Sequence, residues 1–300
     1  YNYMSQILVE LIKFANLILN ITKSAACAGR ISQVLETGSS LQSGSKTAPE
    51  AEQGAALTFE NVSFRYPGAG ADALREISFS ARPGETIGVI GGTGAGKTSL
   101  ANLIPRFYDV TGGAVLWNGA DVRTLQLQSL RAQIGVVPQK ALLFSGTIRE
   151  NLRWGNPDAA DDALWDALRA AQADGVVRNK PGGLDAAVEP GGRNFSGGQR
   201  QRLTIARALV RRPSLLILDD SASALDFATD AALRKALRSL PWHPTVLLIS
   251  QRISSIRHAD QILVLDDGRL AGIGTHESLL ADCPVYQEIC RSQLKKEDAE

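Results

Sequence analysis

The stretch "TIGVIGGTGAGKTSL", residues 86–100, constrains this chain more than any other. Its first half is a short apolar run of the kind that forms a buried parallel strand. Its second half carries Gly91, Gly96, Lys97 and Thr98 in the spacing G-x-x-x-x-G-K-[ST], with Gly92, Thr93, Gly94 and Ala95 between them, ahead of a helical pattern. Each residue type has a reason to be there. Glycines let backbone N–H groups close around phosphate oxygens without side-chain clash, and the helix start adds partial positive charge. Lys97 is placed to neutralise β- and γ-phosphates, and the Thr98 hydroxyl to ligate Mg²⁺. A glycine-rich turn that happens to precede Lys-Thr is the bland alternative. A strand before the loop and a helix after it argue against that alternative.

A nucleoside triphosphate held with magnesium also needs a carboxylate. "SLLILDD" supplies one, an apolar run ending in Asp219 and Asp220. Asp219 is the expected Mg²⁺ carboxylate, acting through a water, although adjacent acids can also serve as caps for a following helix. "TVLLIS" is a third buried run, and helical patterns such as "DDALWDALRAAQA" lie between the runs. From residue 56 onward the pattern is α/β, opening with the alternating strand "LTFENVSFRYPG" and its Pro-Gly turn. A second anion-ready helix start occurs in "RNFSGGQRQRLTIARAL", where Ser196, Gly197 and Gly198 offer a hydroxyl and bare amides. One mononucleotide site has room for a single such helix start. The second therefore suits a nucleotide held by another molecule.

Upstream, "SQILVELIKFANLILNITKSAACAGRISQVLE" reads as a helix with Glu10, Lys13, Asn16 and Asn20 on one face. It fits an amphipathic helix on a soluble core, or the end of a membrane helix whose polar face lines a water-filled cavity. In the second case Lys23 and Arg30 mark the cytoplasmic side. Residues 37–55, rich in Gly, Ser, Ala and Glu, read as a linker. A formal net charge of +1 gives no electrostatic case for nucleic acid as partner. Cys27, Cys283 and Cys290 form no metal-spaced set and suit a reducing compartment as packing residues. The first residue is not methionine, so the chain reads as a piece of a longer protein.

From about residue 56 to the end, the sequence resembles the ATP-binding cassette (ABC) family. The resemblance rests on ordered motifs: Tyr66 in "FRYPG", Gly91–Thr98, Gln139 in "VVPQKALLFSGTIRENL", "FSGGQ" at Phe195–Gln199, "LILDD", and "SALD" at Ser223–Asp226. It implies a P-loop NTPase (RecA-like) core with an antiparallel β subdomain and a helical subdomain at about residues 139–209. It also implies two cassettes dimerising head to tail, each ATP–Mg²⁺ lying between one P-loop and the other chain's Ser196–Gln199 segment. By the same resemblance Tyr66 stacks on adenine, Gln139 senses Mg²⁺ and the water, and Asp226 contacts the partner side. "FSGTIRENL" and "VEPGGRNFSGGQ" are similar to the exporter branch, with Pro190 in place of that branch's arginine. This favours the membrane reading of residues 1–36, a cassette on the cytoplasmic face of the cell (inner) membrane, and docking onto coupling helices of a transmembrane domain.

Three positions depart from the family pattern. Asp220 stands where glutamate is usual, Gln251 where histidine is usual, and Phe195 where leucine is usual. Phe195 is a mild apolar swap. A general base must lie within about 2.6–3.2 Å of the attacking water. Aspartate is one methylene shorter than glutamate, so its oxygens retreat by roughly 1.5 Å. Gln251 offers a neutral hydrogen bond, weaker than a charge-assisted one. Both changes weaken hydrolysis and leave the groups for ATP and Mg²⁺ intact. The expectation is a heterodimer with a second half-transporter, in which this chain's own site holds ATP and its Ser196–Gln199 segment completes the partner's working site. A homodimeric exporter with ordinary ATPase activity, and a soluble ABC ATPase acting on DNA or the ribosome, are the competing readings. The near-zero charge disfavours the last of these.

Overall fold

Burial on both faces makes the apolar runs into strands, and the strands decide where everything else lies. The computed structural model describes residues 1–36, 38, 41–50, 56–221 and 223–297. In chain order it opens with helix α1 (Asn2–Glu36), then β1 (Leu57–Phe64), β2 (Leu74–Ala81), β3 (Thr86–Gly91) and α2 (Lys97–Leu103). β4 (Gly112–Trp117), β5 (Ala120–Asp121), α3 (Leu127–Ala132), β6 (Ile134–Val137), β7 (Gly146–Thr147) and α4 (Ile148–Arg153) follow. Next come α5 (Asp161–Ala170), α6 (Asp174–Arg178), β8 (Ala187–Val188), α7 (Gly197–Val210), β9 (Leu215–Asp219) and α8 (Phe227–Arg238). The chain closes with β10 (Thr245–Ile249), α9 (Ile253–Ile256), β11 (Gln261–Asp266), β12 (Arg269–Gly274), α10 (His276–Asp282) and α11 (Pro284–Glu297).

Six strands form the central sheet in the order β12-β11-β3-β10-β9-β6. All neighbours pair in parallel except β11 with β12. Every residue of β9 and β10 is buried, as a parallel strand covered on both faces requires. Side chains alternate between two cores. Leu247 and Ile249 join Phe59, Trp117 and Leu100 on one side. Val246 and Leu248 join residues of α5, α7, α8 and α11 on the other. An antiparallel sheet, β2-β1-β4-β5, lies on the first of these cores. The register decides function: Ile249 pairs with both Val89 and Asp219, and Leu265 pairs with Gly91. The strand ends therefore come out side by side.

Helices α4 and α7 are each closed by a reciprocal capping box, Thr147 with Glu150 and Ser196 with Gln199. Helix α1 is a unit of its own. It runs for 35 residues without a buried side chain, and Lys13 Nζ pairs with Glu10 Oε1 at 2.7 Å on its polar face. Its length, and a mean hydropathy of 1.4 over an 18-residue window, are by length and composition sufficient to cross a membrane.

The stretch expected to be a linker is in part docked. Gly44 N–H donates to Leu125 O (3.0 Å), Lys46 N–H to Thr124 O (3.1 Å) and Gln126 N–H to Lys46 O (2.7 Å). Ala48 N–H reaches Ser129 Oγ at 2.7 Å, and Ala48 is buried. The glycine that suggests flexibility serves close approach instead: a Cβ on Gly44 would sit 2.2 Å from the Thr124 carbonyl carbon. Residues 37, 39, 40 and 51–55 of that stretch lie outside the described residues.

Leu247 is fully buried at the middle of the sheet. Leu247→Ala is expected to cost about 2–5 kcal/mol, the range for emptying a core leucine site. Urea denaturation followed by tryptophan fluorescence checks this.

Candidate functional site

Two steric facts shape the phosphate loop. A Cβ on Gly91 would lie 2.2 Å from Leu265 O, and one on Gly96 would lie 2.7 Å from Leu74 Cδ2. Gly96, at φ 97°, is also the N-cap of α2, so the chain turns into the helix through a left-handed residue that favours glycine. The first amides of α2 have no intrahelical acceptor and point out of the helix start. Gly92, Thr93 and Gly94 are exposed, whereas Ala95 is buried and anchors the loop. Lys97 Nζ arches back over the loop, donating to Gly91 O at 2.8 Å and Gly92 O at 2.6 Å. Burial pushes its ammonium below the ordinary lysine range, with the Asp220 and Asp219 charges pulling the other way.

Next to the loop, Thr98 Oγ1 donates to Asp219 Oδ2 at 3.0 Å. Both acids at the end of β9 are buried, Asp219 at 8% and Asp220 at 7% exposure. Burial pushes the Asp219 carboxyl up; the Thr98 hydrogen bond and Lys97 oppose this, while the adjacent Asp220 charge adds to it. The oxygen set of Thr98 and Asp219 fits a hard divalent cation such as Mg²⁺. Among the described residues no group of three or more His, Cys, Asp or Glu side chains could hold a metal alone. Such a cation would draw its remaining ligands from phosphate and water, as Mg²⁺ does.

Asp220 collects the two amides singled out in the sequence. Its Oδ2 accepts from Gln139 Nε2 at 3.0 Å and from Gln251 Nε2 at 3.4 Å. Its backbone sits at φ 47°, the left-handed region that aspartate and asparagine tolerate better than most side chains. The N–H of Asp220 donates to Ile249 O (2.9 Å), and its own carbonyl accepts the Ser223 hydroxyl (2.8 Å). Asp220 is thus tied to β10 on one side and to Ser223 on the other.

Tyr66, expected against adenine, is half-buried at the edge of this site. Its hydroxyl is 2.9 Å from Ser99 Oγ, and its ring meets Phe64 and Tyr108 edge-on, with centroids 4.7 and 5.1 Å away. Ser196 and Gln199 bond each other through the capping box: Gln199 N–H to Ser196 Oγ at 3.2 Å and Ser196 N–H to Gln199 Oε1 at 3.0 Å. Gly197 is exposed beside them, and a Cβ on Gly198 would come within 3.0 Å of Ala224 O. Phe195 is buried beneath the Lys180 ammonium, 4.6 Å from its ring centroid. Asp226 caps α8 by accepting from Thr229 N–H (2.9 Å) and Thr229 Oγ1 (2.8 Å).

The structure therefore gathers Lys97, Thr98, Asp219, Asp220, Gln139 and Gln251 into one hydrogen-bonded and electrostatically linked group. None of the described hydrogen bonds joins Ser196–Gln199 to that group. Sequence reasoning missed Ser99, Tyr108 and Arg252. Arg252 donates to Leu225 O and Ser223 O, both at 3.2 Å, and its guanidinium stacks on Phe227. Ser99 directly follows the phosphate loop and Arg252 directly follows Gln251, so adjacency was their signal. Tyr108 had none.

A loop of this shape after a central parallel strand, beside a strand-end carboxylate, defines a P-loop NTPase-type α/β domain with a nucleotide site at the sheet's carboxyl edge. The sequence pattern of the ABC transporter family matches residues 74–223, and the chain belongs to that family. An ABC transporter ATP-binding protein of Mycobacterium tuberculosis is 45% identical over 296 residues, covering 97% of this chain and 50% of its own length. An ABC transporter ATP-binding protein of Bacillus subtilis is 44% identical over 300 residues, covering 100% of this chain and 52% of its own length. The chain thus spans about half the length of these curated relatives. A solved bacterial Atm1-family ABC exporter with ATP bound superposes with a TM-score of 0.85 at 33% identity, covering 91% of this chain and 48% of that one.

The charges of the acid pair and the lysine lead to one titration experiment. Asp220→Asn removes a like charge beside Asp219 and an opposite charge beside Lys97. In the metal-free protein, both the Asp219 carboxyl and the Lys97 ammonium are then expected to titrate lower than in wild type. Carbon-detected NMR titration reads both groups.

Proposed function

We propose that this chain is the ATP-binding part of a half-transporter in a heterodimeric membrane exporter, and that its own composite site holds ATP–Mg²⁺ while hydrolysing it slowly. The observation that carries this reading is the Asp220 oxygen shared by Gln139 and Gln251. A general base must bring a carboxylate oxygen within hydrogen-bond reach of the attacking water. Here the shorter acid turns one oxygen to two neutral amides, and the residue at position 251 adds no charge-assisted contact. The binding groups are complete: the loop amides and Lys97 for the phosphates, Thr98 and Asp219 for Mg²⁺, and Tyr66 for the base. Bound Mg²⁺ would neutralise phosphate charge in this site. The chain's own residues orient the triphosphate against the helix start and keep the water poorly activated.

Two further features support assembly in a membrane complex. Helix α1 is long and apolar enough to span, and its Glu10–Lys13 pair neutralises the charges on its polar face. On the cassette, Phe144 and Trp154 stack at 4.7 Å while 40% and 67% exposed, beside a 210 Å³ groove that includes Arg207 and Arg211. An exposed aromatic pair next to a concave basic rim suits docking of the cytoplasmic ends of membrane helices. The relative named a multidrug efflux ATP-binding/permease protein of Mycobacterium tuberculosis, 43% identical over 274 residues, favours an exporter among the transport directions. The cassette then faces the cytoplasm at the inner membrane. Ser196–Gln199 completes the partner's site.

The purified subunit alone should turn over ATP more slowly than when assembled with a half-transporter that carries Glu and His at the two departed positions. Equal rates per site would overturn the asymmetric reading. Asp220→Glu combined with Gln251→His should raise single-turnover hydrolysis at this chain's own site by about tenfold or more, given that a positioned base contributes about 10²–10⁴ in rate. The ATP dissociation constant should stay within about twofold, because the phosphate and Mg²⁺ groups are untouched. In the assembled pair, Ser196→Ala should slow the partner's site more than this one, and equal loss at both would contradict the head-to-tail assignment.

A further inference from the structure

We infer that Gln293, on α11, is the positioning residue for Gln251, and that α11 thereby regulates hydrolysis at this site. The inference rests on reading Gln251 as a hydrolytic position. Residues 250–252 link β10 to the short helix α9 without regular structure, so their backbone groups need partners from elsewhere. Arg252 is the N-cap of α9 but makes no side-chain cap, and the amide of Ile253 has no acceptor within its own helix. Gln293 supplies both missing partners. Its Oε1 accepts from Ile253 N–H at 2.9 Å, and its Nε2 donates to Gln251 O at 2.6 Å. One amide thus brackets Arg252 on both sides.

The placement of Gln293 is set by packing. Tyr286, Cys290 and Gln293 are spaced four and three apart, so they share one face of α11. Tyr286 is fully buried in the core, and its hydroxyl lies 2.7 Å from His276 Nδ1. Cys290 is buried one turn further on. Gln293 continues that face by one turn and meets residues 251–253 there.

The bracketed residues face two ways. Gln251 Nε2 reaches Asp220 Oδ2 at 3.4 Å, the longest contact of the acid group. Arg252 donates to the carbonyls of Ser223 and Leu225, in the turn whose Ala224 carbonyl abuts Gly198. A displacement of α11 that withdraws Gln293 therefore frees the donor to the base position and loosens the turn beside the Ser196–Gln199 helix start. A contact on α11, or a shift of it, acts on the ATP site through this single amide.

Two substitutions separate the parts. Gln293→Glu keeps an acceptor for Ile253 N–H but loses the donor to Gln251 O, and Gln293→Leu loses both. Amide hydrogen exchange at Ile253 should match wild type in Gln293→Glu and rise by about tenfold in Gln293→Leu, the scale of one lost hydrogen bond. Each variant is also placed in the Asp220→Glu/Gln251→His subunit, where single-turnover hydrolysis is measurable. There Gln293→Leu should lower the rate constant by about tenfold, the scale of a displaced catalytic group, with ATP affinity unchanged. Gln293→Glu should fall between it and the parent. Unchanged exchange at Ile253 in Gln293→Leu would overturn the clamp. Raised exchange with an unchanged rate constant would overturn its control of position 251. If the Asp220→Glu/Gln251→His parent shows no gain in hydrolysis, the functional reading of the site fails, and the exchange comparison still decides the clamp.

Discussion

The shared parallel register of β3, β10 and β9 is the constraint on which the rest of this molecule depends. These strands are buried on both faces, so their ends cannot slide without taking a whole apolar set out of its core. With Ile249 opposite both Val89 and Asp219, three loops leave the sheet along one line. The phosphate loop, the acid pair and the Gln251 segment therefore meet without any loop having to reach. In open α/β sheets the carboxyl edge is where ligands bind, because that is where loops and helix starts converge. The register also forces two carboxylates into a buried place. That costs free energy unless each finds partners, and Thr98, Lys97, Gln139 and Gln251 are those partners.

Asp220 deserves its short side chain for a second reason beyond chemistry. The chain must leave β9 sharply, and it does so with Asp220 at φ 47°. Left-handed backbone is less costly for aspartate than for most residues that carry a Cβ. Strained residues of this kind persist where the surroundings over-determine them. Here the surroundings are the bond to Ile249 O on one side and the Ser223 hydroxyl on the other. Backbone and side chain therefore act together: the turn fixes where the carboxylate points, and its length fixes how far it reaches.

How much of this was legible in the sequence depended on range. The central strands could be read because burial on both faces leaves an unbroken apolar run, and the phosphate loop because its spacing encodes a backbone shape. Ser196 as a helix start could be read because a capping box is closed within four residues. The docking of residues 43–50 could not. Gly44 looks the same in a flexible linker and in a close backbone contact, and only the approach to Thr124 distinguishes them. Nor could the partnership of Tyr66 with Ser99, or of Gln251 with Gln293, separated by 33 and 42 positions. Such pairs are brought together by tertiary packing and leave no periodic trace. The two amides on Asp220 were each legible as candidates; that they converge on one oxygen was not.

The same packing bears on how, in the proposed heterodimer, one chain would serve two sites. Its own phosphate loop and its Ser196–Gln199 helix start are both anion-ready, yet no described hydrogen bond links them. What lies between is the turn from Ser223 to Asp226, held by Arg252 on one side and abutting Gly198 on the other. A turn packed on both sides in that position passes on displacement, because packed elements move between discrete arrangements rather than deforming smoothly. Asp220 is fixed to the start of this turn through Ser223, and Arg252 is fixed to Gln251 by the chain itself. A change at Asp220 thus has a covalent and hydrogen-bonded path to the turn that abuts Gly198. A poor hydrolytic centre that keeps its nucleotide would hold that turn in one arrangement, which is a physical reason for such a site to persist beside a fast one.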